Sequence, residues 1–170
     1  IENPSFLAIT KNGRYVYAVN ENHKEKPGEV SALSFDKVKG ALQFINKVAT
    51  NGDDPCYVDV DSTGKNVVVA NYSGGNLSVF KTNADGSLQQ AVQTIEHQGY
   101  GINVVRQSKP HVHCSVFSPD GKYLFSNDLG TDKIYQYKFN ATSAQPLNDE
   151  DVVTTDVEDG SGPRHIAFHP

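Results

Sequence analysis

The sequence predicts an all-β fold, a β-propeller of four-stranded antiparallel blades. Three observations carry that expectation. A pattern of about fifty residues recurs down the chain, marked by the turn glycines Gly13, Gly64 and Gly121 at spacings of 51 and 57. Each copy holds short runs of β-branched and aromatic residues separated by Gly, Asn, Asp and Ser turns, a pattern of strands. No helical periodicity competes over any useful length. A unit of this size cannot bury both faces alone, so copies must stack, as propeller blades do. A sandwich of hairpins is the alternative, and repetition at fixed offsets argues against it.

The first copy covers residues 3–50. Residues 6–10 read as a strand, Asn12-Gly13 as a tight turn with positive φ at the glycine, and residues 15–20 as a second strand. A polar loop leads to a third strand at 29–35, and Lys39-Gly40 turns the chain into a fourth at 42–48. The second copy, 54–97, places strands at 67–70, 77–81 and 88–95 after its own first strand, with turns at Ser62-Thr63-Gly64 and Asp85-Gly86. The third, 110–157, places them near 113–118, 123–127, 134–139 and 151–157. A fourth copy opens in GSGPRHIAFHP (160–170), with one strand expected over 162–170.

Three blades and one strand cannot close a ring, since propellers have about four to eight blades. An open arc would expose the apolar faces of its end blades. The chain is therefore read as part of a longer protein, or as half of an assembly closed by a second copy. With no Met at position 1, residue 1 is not expected to be the native start, which keeps an export signal open beside a cytoplasmic setting.

Bulk properties narrow the function. A net charge of −5 without any basic run argues against binding nucleic acid by bulk attraction to phosphate. No apolar run approaches the roughly 18–20 residues that cross a bilayer. Cys56 and Cys114 are too few for a disulfide scaffold and lack metal-ligand spacing, so both are expected as reduced thiols on strands.

Aligning the copies stacks Ser5, Cys56, His113 and Arg164 at one slot, the start of each blade's first strand. Pro4, Pro55 and Pro163 precede three of them, and proline suits a strand's first residue. In a propeller that strand lines the central channel. A small residue in two blades and His, then Arg, in the next two reads as specialisation of a symmetric frame. The ends of the second strands add Asn20-Glu21, Asn71-Tyr72 and Asp128-Leu129 on the same face. Their Asn and Asp residues equally suit caps for the following turns. His111, two residues before His113, is expected to point the same way. The pair suits a metal only with a third ligand, and none is fixed beside it, so neither metal nor cofactor is expected. His165 is expected to face into the blade; His97, His23 and His169 read as outer-edge, loop and turn residues.

The chain resembles the seven-bladed lactonase family, that of the bacterial 6-phosphogluconolactonases and fungal muconate-lactonising enzymes. The resemblance spans the whole chain and rests on ANYSGGNLSVF (70–80), PHVHCSVFSPDGKYLFSNDLG (110–130) and GPRHIAFHP (162–170). The PHxH and GPRH pair is the specific part. The resemblance implies a metal-independent lactonase with its site at the channel mouth, and His113 and Arg164 match the family's catalytic histidine and arginine. It also implies a glutamate at a position beyond residue 170. The expected substrate is a sugar lactone, 6-phosphogluconolactone by resemblance alone.

In that chemistry His113, with an ordinary pKa of about 6.5, would take a proton from water, and Arg164 would face the oxyanion. His111, Asp128, Tyr72, Glu21 and His165 are the candidate substrate-binding residues. Lys109 and Arg106, in the long loop before the third copy, suit an anionic substituent. A non-catalytic propeller scaffold explains the repeat as well, but not why His and Arg hold the inner slot in consecutive blades.

Overall fold

A computed structural model describes residues 1–22 and 26–169, which places His23 outside the described residues. Twelve strands form three four-stranded sheets, each a meander in chain order. The first blade is β1 (Pro4–Ile9), β2 (Tyr15–Asn20), β3 (Glu29–Asp36) and β4 (Ala41–Ala49). The second is β5 (Pro55–Val60), β6 (Asn66–Asn71), β7 (Asn76–Thr82) and β8 (Leu88–Glu96). The third is β9 (Val112–Phe117), β10 (Tyr123–Asp128), β11 (Lys133–Phe139) and β12 (Leu147–Asp156). All neighbouring strands pair antiparallel. No helix forms among the described residues.

The turn between the first two strands of each blade is self-supporting. Thr10 and Ser118 each accept, through the side-chain oxygen, the N–H that starts the second strand, Tyr15 at 3.1 Å and Tyr123 at 3.0 Å. Asp61 does the same for Lys65 and Asn66 at 2.8 and 2.9 Å. Gly13, Gly64 and Gly121 close these turns at φ +64, +72 and +68, where an L side chain is strained. Local chemistry therefore helps fix the register of each inner hairpin.

Packing joins the blades in series. β6 reads NVVVAN, and all six of its residues are buried, as expected of a strand covered on both faces. Val67 and Val69 pack towards the first blade with Tyr17, Val19, Val30 and Phe80, while Val68 and Ala70 face the third with Leu77, Leu124 and Tyr137. β5 lies against both β1 and β9, so the first strands of successive blades are neighbours at the inner end. The outward face of the first blade is left open: Leu7, Ile9, Leu42 and Phe44 are each more than half exposed.

Two expectations need correction. Residues 162–169 form no strand, since no ladder hydrogen bonds pair them with another strand among the described residues. β12 begins at Leu147 instead of 151, because Leu147 N–H donates to Gln93 Oε1 of β8 at 3.0 Å and Gln93 Nε2 donates back to Leu147 O at 2.7 Å.

Candidate active site

The slot shared by the blades is a β-bulge. In β9, Val112 opposes Asp128 and Cys114 opposes Asn127, which leaves His113 without a partner in the ladder. Cys56 is skipped in the same way between Pro55↔Asn71 and Tyr57↔Ala70. In the first blade Ser5 and Phe6 share the interval between Pro4↔Asn20 and Leu7↔Ala18. A bulge bends the strand and re-aims the extra side chain. His111 and His113 nonetheless both reach the Tyr72 ring.

Three of the slot residues, Cys56, His113 and Arg164, touch in sequence order. Cys56 Sγ lies 3.5 Å from His113 O. His113 Nε2 accepts from Arg164 Nε at 3.1 Å and Nη2 at 2.7 Å. His113 is buried, at 8% exposure, and Arg164 is exposed. Burial, then the Arg164 charge, pushes the His113 pKa down to about 4. The expected ordinary value near 6.5 is thus corrected: the ring is neutral, with its lone pair at Nε2. The thiols are not nucleophiles here. Burial and the Glu21 charge push Cys56 up to about 12, and burial raises Cys114.

Tyr72 and the two flanking histidines gather on this pair. The His111 ring stacks on Tyr72 at 4.4 Å between centroids, and His113 meets the same ring edge-on at 5.7 Å. His111 Nδ1 lies 3.1 Å from Tyr72 O, which sets that nitrogen as the donor. His165 is exposed and sits edge-on to His113 at 5.2 Å, so the expectation that it faces into the blade is corrected. Glu21 acts on Cys56 and forms no ion pair with Arg164 among the described residues. Lys109 ties blades together, donating to Ser73 O at 2.6 Å.

Asp128 is not a substrate contact. It is fully buried with both oxygens engaged: Oδ1 accepts from His111 N at 2.8 Å and Gly130 N at 2.9 Å, and Oδ2 meets His97 Nδ1 at 2.9 Å. His97 Nε2 in turn lies 2.9 Å from the Tyr137 hydroxyl. His97 follows directly on the outer strand β8, as expected of an outer-edge residue, but its side chain is the buried centre of an Asp–His–Tyr chain between the second and third blades. Its effect on the site is indirect, since Asp128 holds the backbone of His111. The one trace in the sequence is an Asp where the other blades carry Asn20 and Asn71. No group of three His, Cys, Asp or Glu residues that could hold a metal occurs among the described residues, and no helix there is long and apolar enough to cross a membrane.

Comparison with known proteins agrees with this architecture. The family model described as lactonase, 7-bladed beta-propeller, matches residues 1–170. A 6-phosphogluconolactonase of Bacillus subtilis is 39% identical over 173 aligned residues, covering 99% of this chain and 46% of that protein. A Bacteroides fragilis crystal structure, provisionally called a 6-phosphogluconolactonase, superposes with a TM-score of 0.91 at 42% identity, over 99% of this chain and 48% of the other. A periplasmic gluconolactonase of Pseudomonas aeruginosa gives a TM-score of 0.87 at 37% identity, over 99% and 48%. The chain thus spans about half the length of the relatives it matches. With its three stacked blades and whole-length match, the chain belongs to the lactonase family of seven-bladed β-propellers.

Proposed function

We propose that the protein hydrolyses a sugar lactone, 6-phosphogluconolactone to 6-phosphogluconate, at the His113–Arg164 pair. The observation that carries this reading is the contact itself: a buried, neutral histidine whose lone pair faces an arginine at the same slot of the next blade. The Bacillus subtilis relative of that name supports the choice of substrate.

Water attacks the ring carbonyl carbon while His113 Nε2 takes its proton. The carbonyl oxygen becomes an oxyanion, towards which Arg164 turns donors now spent on His113. A histidine with so low a pKa is a weak base before substrate binds. Burial depresses it first and the Arg164 charge second, and an oxyanion drawn beside Arg164 offsets that second cause as the proton arrives. Collapse then breaks the bond between the carbonyl carbon and the ring oxygen, the imidazolium returns its proton to that oxygen, and the product is an open-chain acid. Tyr72, His111 and His165 wall the pair and contact the sugar.

In the same reading, further blades cover the open apolar face of the first blade, and the reaction runs in the cytoplasm, where free thiols stay reduced. The test is the rate at which the complete protein opens 6-phosphogluconolactone. Acceleration above the spontaneous rate in buffer is expected; its absence would exclude the reading.

A further inference from the structure

Beside the His113–Arg164 pair lies a cavity of about 190 Å³, lined by Asn103, Arg106, Gln107, Leu129, the 160–162 turn and Arg164. Its two walls are fixed to one buried carboxylate. On one side Asn103 Oδ1 accepts the N–H groups of Val105 and Arg106, at 3.2 and 3.1 Å, and Gln107 Oε1 accepts that of Asn103 at 2.9 Å. Gln107 Nε2 then donates to Leu129 O at 2.9 Å and to Asp132 Oδ1 at 2.7 Å. On the other side the N–H groups of Gly160 and Gly162 donate to Asp132 Oδ2 and Oδ1, both at 2.8 Å. Gly162 holds φ +55, and a Cβ there would lie 3.1 Å from Leu129 Cγ, so the turn needs glycine.

The ionisable groups on the lining itself are both basic. Of the lining residues only Arg106 and Arg164 are ionisable, and neither joins an ion pair among the described residues. Asp132 lies beneath the walls with both oxygens already taken by Gly160, Gly162 and Gln107. Arg164 offers Nε and Nη2 to His113, and Nη1 makes no hydrogen bond among the described residues. Two guanidinium groups lining one polar cavity offer several donors to one anion, and their planar forks match phosphate oxygens.

We infer that this cavity is the subsite for a phosphate monoester of the substrate, with Arg106 as the residue that selects phosphorylated over plain lactones. The inference rests on the lactone-hydrolysis reading, because Arg164 serves both the reacting carbonyl and the cavity. Arg106 is exposed, so its replacement leaves the buried supports in place.

The experiment compares the complete wild-type protein with Arg106→Ala and Arg106→Lys on 6-phosphogluconolactone and on unphosphorylated gluconolactone, and titrates each protein with inorganic phosphate. Loss of one charge-assisted contact should lower the phosphorylated-to-plain ratio of kcat/KM by at least about tenfold in Arg106→Ala. The change should fall mainly on KM, with partial recovery in Arg106→Lys. Phosphate should bind wild-type protein at least about tenfold more tightly than Arg106→Ala. An unchanged ratio, or equal phosphate binding, would overturn the subsite. If wild-type protein opens neither lactone, the proposed function fails, and the phosphate titration alone decides the subsite.

Discussion

His113 and Arg164 lie 51 residues apart in sequence and 2.7 Å apart at Nε2 and Nη2. The contact joins the first strand of the third blade to the segment that follows it. Because arginine can only donate, it sets the histidine's tautomer, lone pair at Nε2 and proton at Nδ1.

This contact predicts an unusual pH profile. His113 titrates at about 4 in the folded protein against about 6.5 when unfolded. The acid limb of kcat/KM should therefore fall near pH 4. Stability should decline as pH drops from about 6.5 to about 4, where the unfolded chain binds the proton first. Replacing Arg164 by Gln should move the His113 titration upward. NMR titration of the ring checks both, and a wild-type midpoint near 6.5 would refute them.

The Asp128–His97–Tyr137 chain should matter to stability. His97→Ala leaves Asp128 Oδ2 and the Tyr137 hydroxyl buried without this partner, at about 1–3 kcal/mol for each group. Tyr137→Phe removes one hydroxyl and should cost about 1 kcal/mol. Urea unfolding measures both, and losses below about 0.5 kcal/mol, the range of ordinary surface substitutions, would contradict the buried role.

Two glycines separate backbone strain from crowding. Gly40 has φ +61, and a Cβ added there would meet nothing within 4 Å, whereas at Gly86, φ +82, a Cβ would sit 2.3 Å from the Tyr15 ring. Gly40→Ala should cost about 1–2 kcal/mol, the left-handed penalty alone. Gly86→Ala should cost more, since the tyrosine whose hydroxyl donates to Ala84 O must move as well. Equal losses in thermal unfolding would mean that Tyr15 yields freely.

The repeat made the blades legible in the sequence, because turn chemistry is local: Gly13, Gly64 and Gly121 each need positive φ, and the residues that cap their turns lie within five positions in the chain. The slot holding Cys56, His113 and Arg164 followed from the same alignment. What the sequence hid depends on contacts between blades. The bulge at His113 shows only in the ladder register. Asp128 resembled a site residue because its partner His97 lies 31 positions away on the preceding blade. The low pKa of His113 arises from burial and from Arg164, neither visible in a strand pattern.

The most direct test of the central claim is the rate of 6-phosphogluconolactone opening by His113→Ala and Arg164→Ala in the complete protein, with folding checked by circular dichroism. Each variant should be slowed by at least about tenfold, the order expected for losing an acid–base or oxyanion group. Wild-type rates in correctly folded variants would contradict the assignment of the site.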